Sequence, residues 1–268
     1  MLTQAREDGI GTIVDATTFD LGRDMQLLSD VSTASGVGIV ASTGHWLNPS
    51  ATMVARTTDQ LTQLFTRELT EGADGTGIRA GAIKVASEDS ITPFAEKALL
   101  AAARANLATG APILTHTAAR HRTGEKQAEI LEKAGVDPSR VVIGHSDDSA
   151  EIDYLVGLAK RGYWIGFDRI PSGALPEYGP QSVADRLRMI VELVDRGFSA
   201  QIVLSHDEPI WAGLLTETDQ ERHKSAVPDS ISYLPRIGLP ALQDLGITAD
   251  QIHELVVDNP RRWLTGER

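Results

Sequence analysis

Four residues stand where this chain could do chemistry: Lys84, His116, His145 and Asp207. Each sits in or just after an apolar run. The runs are Ala82-Ile83-Lys84-Val85-Ala86, Ile113-Leu114-Thr115-His116, Val141-Val142-Ile143-Gly144-His145 and Ile202-Val203-Leu204-Ser205-His206-Asp207. Apolar, β-branched runs that stop at ionisable side chains read as buried strands presenting reactive groups at one rim. Imidazole and carboxylate are ligands for zinc and similar divalent ions. One strand-end histidine is as readily a hydrogen-bonded rim residue; two with an aspartate can converge on one ion. Lys84 has the most apolar setting of any lysine here. Burial disfavours its ammonium form, and a neutral amine can add carbon dioxide to become a carbamate, a bidentate anion able to bridge two ions. A lysine snorkelling to water is the competing reading from the residues alone.

The elements that must position these groups follow from the pattern. Strand segments end near positions 15, 44, 84, 116, 145, 168 and 207. Their spacing averages about 30 residues, one βαβ step. Helices are expected near 24–35, 58–71, 93–109, 124–134, 149–161 and 182–196. Residues 208–232 read as a long charged loop, and a last helix pair is punctuated by Pro235, Gly238 and Pro240. Regular strand–helix alternation calls for a parallel sheet. Residues 2–9 look like the last turns of a helix closed by glycine. The expectation is an α/β, TIM-type (β/α)8 barrel with its first strand missing: seven strands in one domain over residues 1–268, N-terminally incomplete.

Composition narrows the partners. The chain has 268 residues, close to the ~250 typical of one such barrel. A net charge of −12 argues against nucleic acid and against an anionic membrane surface. No apolar run is long enough to cross a bilayer. With no cysteine, there is no disulfide, thiolate nucleophile or cysteine metal site. There is no signal-peptide pattern, and the compartment is left open with the cytoplasm as the default.

Taken as a set, the motifs resemble the phosphotriesterase family of the amidohydrolase superfamily. The likeness is carried by Gly81-Ala82-Ile83-Lys84-Val85-Ala86, Ile113-Leu114-Thr115-His116-Thr117-Ala118, Ile143-Gly144-His145-Ser146-Asp147-Asp148, Arg161-Gly162-Tyr163-Trp164-Ile165-Gly166-Phe167-Asp168-Arg169 and Ser205-His206-Asp207. It extends to Thr12-Ile13-Val14-Asp15 and Asp258-Asn259-Pro260. The resemblance implies a distorted barrel with two divalent metal ions, zinc by family habit. Lys84 matches the carboxylated bridging lysine. His116 and His145 match the ligands of the more exposed ion, and Asp207 the ligand of the buried one. The implied reaction is hydrolysis of organophosphate triesters by a metal-activated hydroxide. Asp207 would pass a proton outward, along a route ending at Asp148. The relay position matches Arg169 where well-known members have histidine, and arginine stays protonated. Trp46 and Leu47 match the wall of the leaving-group pocket. Ile210 and Trp211 lie on the loop after Asp207, with Tyr233 reaching over it. His206 should face away from the metals by strand alternation. His45, His121, His223 and His253 read as surface or structural. The implied partner is a small ester or lactone, and the family suggests a homodimer.

Two departures shape the reading. The family's first strand carries a His-x-His pair, and no His-x-His occurs here. The buried ion then keeps only Lys84 and Asp207, so its occupancy is in question. Residues 171–197 and Ser205-His206-Asp207 are closer to the related lactonases, whereas Trp46 and the loop over 208–233 are closer to the phosphotriesterases. The alternatives are a lactonase with promiscuous phosphotriesterase activity, and an inactive fragment binding at most one ion.

Overall fold

The computed structural model describes residues 1–175, 179–208, 216–227 and 229–267. Seven strands form one sheet: β1 (Thr12–Asp15), β2 (Gly38–His45), β3 (Ala82–Ala86), β4 (Ile113–His116), β5 (Val141–Ile143), β6 (Trp164–Phe167) and β7 (Ile202–Leu204). Every pairing is parallel, and each strand neighbours the next in sequence, from β1 to β7. Such neighbours need a crossover on one face, and helices supply it. Before β1 comes α1 (Leu2–Glu7), and α2 (Met25–Ser35) follows it. Next come α3 (Ala51–Val54), α4 (Thr58–Thr70), α5 (Pro93–Thr109), α6 (Thr123–Lys133), α7 (Ile152–Lys160) and α8 (Val183–Asp195). After β7 come α9 (Glu217–Ala226), α10 (Leu239–Asp244), α11 (Ala249–His253) and α12 (Asn259–Thr265). The architecture is α/β of the TIM-barrel type: among the described residues, a curled, open sheet of seven parallel strands is wrapped by helices.

Local chemistry sets the helix ends. Asp24 accepts from the Leu27 N–H, and Thr57 and Ser182 form reciprocal capping boxes with Gln60 and Asp185. Thr92 caps α5 just before Pro93, and Gly110 closes it at φ 75°. Each side-chain cap stabilises its helix by about 1 kcal/mol.

Strand alternation divides the apolar residues into two cores. Ile83, Val85, Ile113, Ile143, Ile165 and Phe167 face the helices and pack with Leu61, Phe65 and Leu99. Leu114, Val142, Trp164, Val203 and Val14 fill the interior, where Trp263 and Leu264 from α12 join them. Beside β2, the fully buried guanidinium of Arg23 meets Glu68 at 2.8 and 3.0 Å, Asp74 at 2.8 and 3.2 Å and the Ser42 carbonyl at 2.8 Å. It ties the segment before α2 to β2 and α4.

Some boundaries differ from the sequence expectation. β3 runs on to Ala86, so Lys84 lies at its centre, level with Gly44 of β2 and Leu114 of β4. α7 begins at Ile152, because Ser146–Asp148 form a separate 3-10 turn. The stretch expected to be a loop after β7 contains α9; its sequence, ETDQERHKSA, has no apolar stripe to reveal it. Among the described residues, nothing pairs with the free edges of β1 and β7. The helical layer meets where the strands do not. There α1 packs against the Ser230–Ser232 turn, and Arg236 pairs with Asp8 at 3.0 Å.

Candidate metal centre

The strand ends carry their side chains to one rim. His116 is the last residue of β4. His145 lies two residues past β5 and Asp207 three past β7, both in the left-handed region, at φ 57° and 49°. Most non-glycine residues avoid that region, although Asp and His enter it more readily than others. The turn re-aims each side chain away from its strand axis. Asp168, one residue past β6, accepts the His145 backbone N–H at 2.9 and 3.1 Å and sits 2.8 Å from His145 Nδ1. Two glycines leave room for this carboxylate. A Cβ on Gly144 or Gly166 would lie 3.0 or 3.1 Å from Asp168 Oδ2.

Across the rim, His116 Nε2 is 3.0 Å from Glu88 Oε1, and this hydrogen bond holds the Glu88 carboxyl below its usual range. Each imidazole is thus backed by a carboxylate. Their other nitrogens, His116 Nδ1 and His145 Nε2, face each other at 2.8 Å, with the rings 81° apart. Burial lowers the pKa of His116 to about 4 and that of His145 to about 3, so both rings are neutral at pH 7. If each donates its one N–H to its carboxylate, two lone pairs confront each other across 2.8 Å. A cation bound beside both nitrogens would relieve that repulsion, and a carboxylate behind a ligating histidine is the usual support for one.

A cation there needs further donors. Among the described residues, no group of three or more His, Asp or Glu side chains is arranged to hold a metal ion. The remaining neighbour is Lys84, nearly buried at 6% exposure. Burial lowers its pKa, the charges of Asp207 and Asp168 raise it, and Arg169 adds to the lowering. Asp207 Oδ2 is 4.0 Å from His145 Nδ1. Burial opposes its ionisation, but the Arg169 guanidinium beside it holds its carboxyl well below the usual range. Its side chain is nonetheless 42% exposed, so the carboxylate is ringed by protein and open to water at the mouth.

Behind the rim runs a row of alternating charges. Arg169 Nε donates to Asp207 at 2.9 Å and its Nη1 to Asp148 at 2.6 Å. Arg186, fully buried, lies 2.8 Å from Asp147 and 2.9 Å from Asp148. Burial pushes the Asp147 carboxyl up against the pull of Arg186, and burial with the Asp207 charge pushes the Asp168 carboxyl up.

The pocket residues divide. Trp46 stands edge-on to His116, ring centroids 5.8 Å apart. Its N–H donates to both Asp20 carboxylate oxygens at 3.3 Å, and its carbonyl accepts from His45 Nδ1 at 3.0 Å. His45 is fully buried between Phe19 and Phe94, a structural residue. Leu47 is half-buried beside Trp46. Tyr233 packs on the outer core, and Ile210 and Trp211 lie outside the described residues. His206 Nε2 accepts the Leu234 N–H at 3.1 Å, away from the rim as strand alternation requires. His121 pairs with Asp89 on the surface and His253 is exposed; the His223 side chain lies outside the described residues. The clefts along the outer face of α4 and beside α8 do not touch the rim residues.

Asp168, Glu88 and Arg186 were not among the expected site residues. Asp168 ends an apolar run, and Arg186 sits at helical spacing with Ile190 and Leu193 on the buried face of α8, so both left a signal. Glu88 left none.

The model of the phosphotriesterase family matches residues 1–264. The chain belongs to the phosphotriesterase family. Among phosphotriesterase relatives it is 35% identical to the phosphotriesterase homology protein of Mycobacterium tuberculosis, over 97% of this chain and 81% of that one. It is 34% identical to the aryldialkylphosphatase of Saccharolobus solfataricus, over 98% and 83%. It is 29% identical to the N-acetyltaurine hydrolase of Salmo salar, over 98% and 76%. Phosphotriesterase-family members are hydrolases, and those two names point to different substrates.

Proposed function

We propose that the chain is a metal-dependent hydrolase of aryl phosphotriesters. The observation that carries the reading is the pair of facing imidazole nitrogens, 2.8 Å apart, each ring backed by a carboxylate. The 34% identity to a protein named aryldialkylphosphatase supports the substrate class, as does the indole edge beside His116.

His116 and His145 would hold one divalent ion with Lys84, whose burial favours the neutral amine that carboxylation needs. Imidazole and carbamate donors suit zinc. Lys84 and Asp207 are the donors left for a second ion. A bound divalent ion supplies Lewis acidity, which polarises the phosphoryl oxygen and makes the attacking water more acidic.

This chain's own residues do the rest. Trp46 gives an aryl leaving group an aromatic wall. Asp207, held ionised by the Arg169 guanidinium beside it, accepts the proton from the attacking water. Arg169 stays protonated and cannot carry that proton onward; it orients Asp207 and links it to Asp148. The proton leaves through the solvent-open side of Asp207.

The test is an assay of protein loaded with zinc and bicarbonate, on diethyl 4-nitrophenyl phosphate and on an acyl-homoserine lactone. Nitrophenol release, abolished in His116→Ala and His145→Ala, is expected. A lactone rate far above the triester rate overturns the substrate class. Loss of neither rate in both variants overturns the site.

A further inference from the structure

We propose that Glu88 is a positioning residue that selects which nitrogen of His116 faces the cation. The inference rests on the metal-dependent reading above and adds to it a residue on the β3–α5 connection. Glu88 lies four residues beyond Lys84, and its Oε1 is 3.0 Å from His116 Nε2. His116 Nδ1 is 2.8 Å from His145 Nε2.

His116 has one N–H to place when neutral, and two partners compete for it. Placed on Nε2, it donates to Glu88, and Nδ1 keeps its lone pair toward His145. Placed on Nδ1, it donates into the His145 lone pair and ties up both lone pairs a cation would bind. The second arrangement also points the Nε2 lone pair at a carboxylate oxygen 3.0 Å away, two acceptors in repulsion. Asp168 imposes the same choice on His145 from the opposite side, at 2.8 Å from Nδ1. The two carboxylates differ in setting. Asp168 is enclosed, with 14% of its side chain exposed, whereas Glu88 is 53% exposed. Glu88 therefore bears on His116 from a solvated loop and not from the core, and its replacement leaves the packing of the sheet intact.

Glu88→Gln separates this role from packing, because an amide can rotate to offer Nε2 either an acceptor or a donor. In metal-free full-length protein, long-range nitrogen–proton NMR on labelled histidine should show His116 protonated at Nε2 in the wild type. In Glu88→Gln and Glu88→Ala a substantial share should move to Nδ1, while His145 is unchanged. Cobalt(II) titration followed by visible absorption should give roughly 10–100-fold weaker binding in both variants, the range for loss of a carboxylate behind a metal ligand. His116 still protonated at Nε2 in both variants, with cobalt affinity within twofold of wild type, overturns the assignment. The tautomer readout needs neither metal nor turnover. A wild type that binds cobalt yet hydrolyses neither ester leaves Glu88 assigned and removes only the substrate class.

Discussion

Asp168 holds His145 at two points, accepting its backbone N–H at 2.9 Å and facing its Nδ1 at 2.8 Å. One carboxylate thereby fixes both a left-handed backbone, φ 57°, and the ring that the backbone carries. Asp168→Ala should release both. Divalent cation affinity, read by cobalt titration, is expected to fall roughly 10–100-fold. An unchanged affinity would show that the turn at His145 holds itself.

Gly144 is required by what surrounds it. A Cβ there would overlap the Thr115 carbonyl oxygen and lie 3.0 Å from Asp168 Oδ2. Backbone cannot swing aside as a flexible side chain can. Gly144→Ala should cost about 1–3 kcal/mol, the usual penalty of overpacking, measured by urea unfolding. Metal affinity should fall with it, since Asp168 is displaced.

The Arg23 cluster makes a distinct claim about stability. Arg23→Ala leaves the buried Glu68 without its charge partner and should cost about 3–5 kcal/mol. Hydrogen bonding to Arg23 lowers the Asp74 pKa from 3.8. A carboxyl with a depressed folded value stabilises the fold fully above its unfolded value and loses that contribution as pH falls through the folded one. Urea midpoints of wild type and Asp74→Asn should therefore differ at pH 7 and converge toward pH 3. A gap that stays constant would show that the ion pair contributes little.

Trp46 is fixed through its backbone, by Asp20 at the N–H and His45 at the carbonyl. Asp20→Ala should loosen the indole against His116 without touching the rim residues. The expected result is a several-fold rise in KM for an aryl triester, with a smaller change for a trialkyl one. The Trp46 component of the fluorescence, isolated by subtraction of a Trp46→Phe background, should shift toward that of a solvated indole. Equal changes for both substrates would show that Trp46 does not touch the leaving group.

Much of this arrangement was legible in the residues. α5 could be read from Thr92-Pro93 to Gly110 because its cap, its proline and its closing glycine each have one structural use. His116, His145 and Asp207 were legible as strand-end residues because apolar runs lead into them. The failures share a cause. Glu88 meets His116 across 28 positions, and no local pattern encodes such a pairing. The backbone turn at His145 depends on Asp168 from another strand. α9 lacks the apolar stripe by which helices announce themselves. Arg186 is the intermediate case, a charge on an apolar face whose partners, Asp147 and Asp148, sit one unit earlier.

The strictly sequential strand order also says how the fold comes apart. Every pairing joins neighbours in the chain, so the sheet can grow outward from its middle without a late joining of distant ends. β3 and β5 are buried throughout, whereas β1 is exposed or half-buried along its length and β7 is buried only at Ile202. Backbone amides should therefore exchange slowest in β3 to β5 and progressively faster toward both margins, with subglobal opening at the flanks. Lys84, His116 and His145 belong to the slow centre; Asp207 belongs to a margin and would be the first of the four to let go.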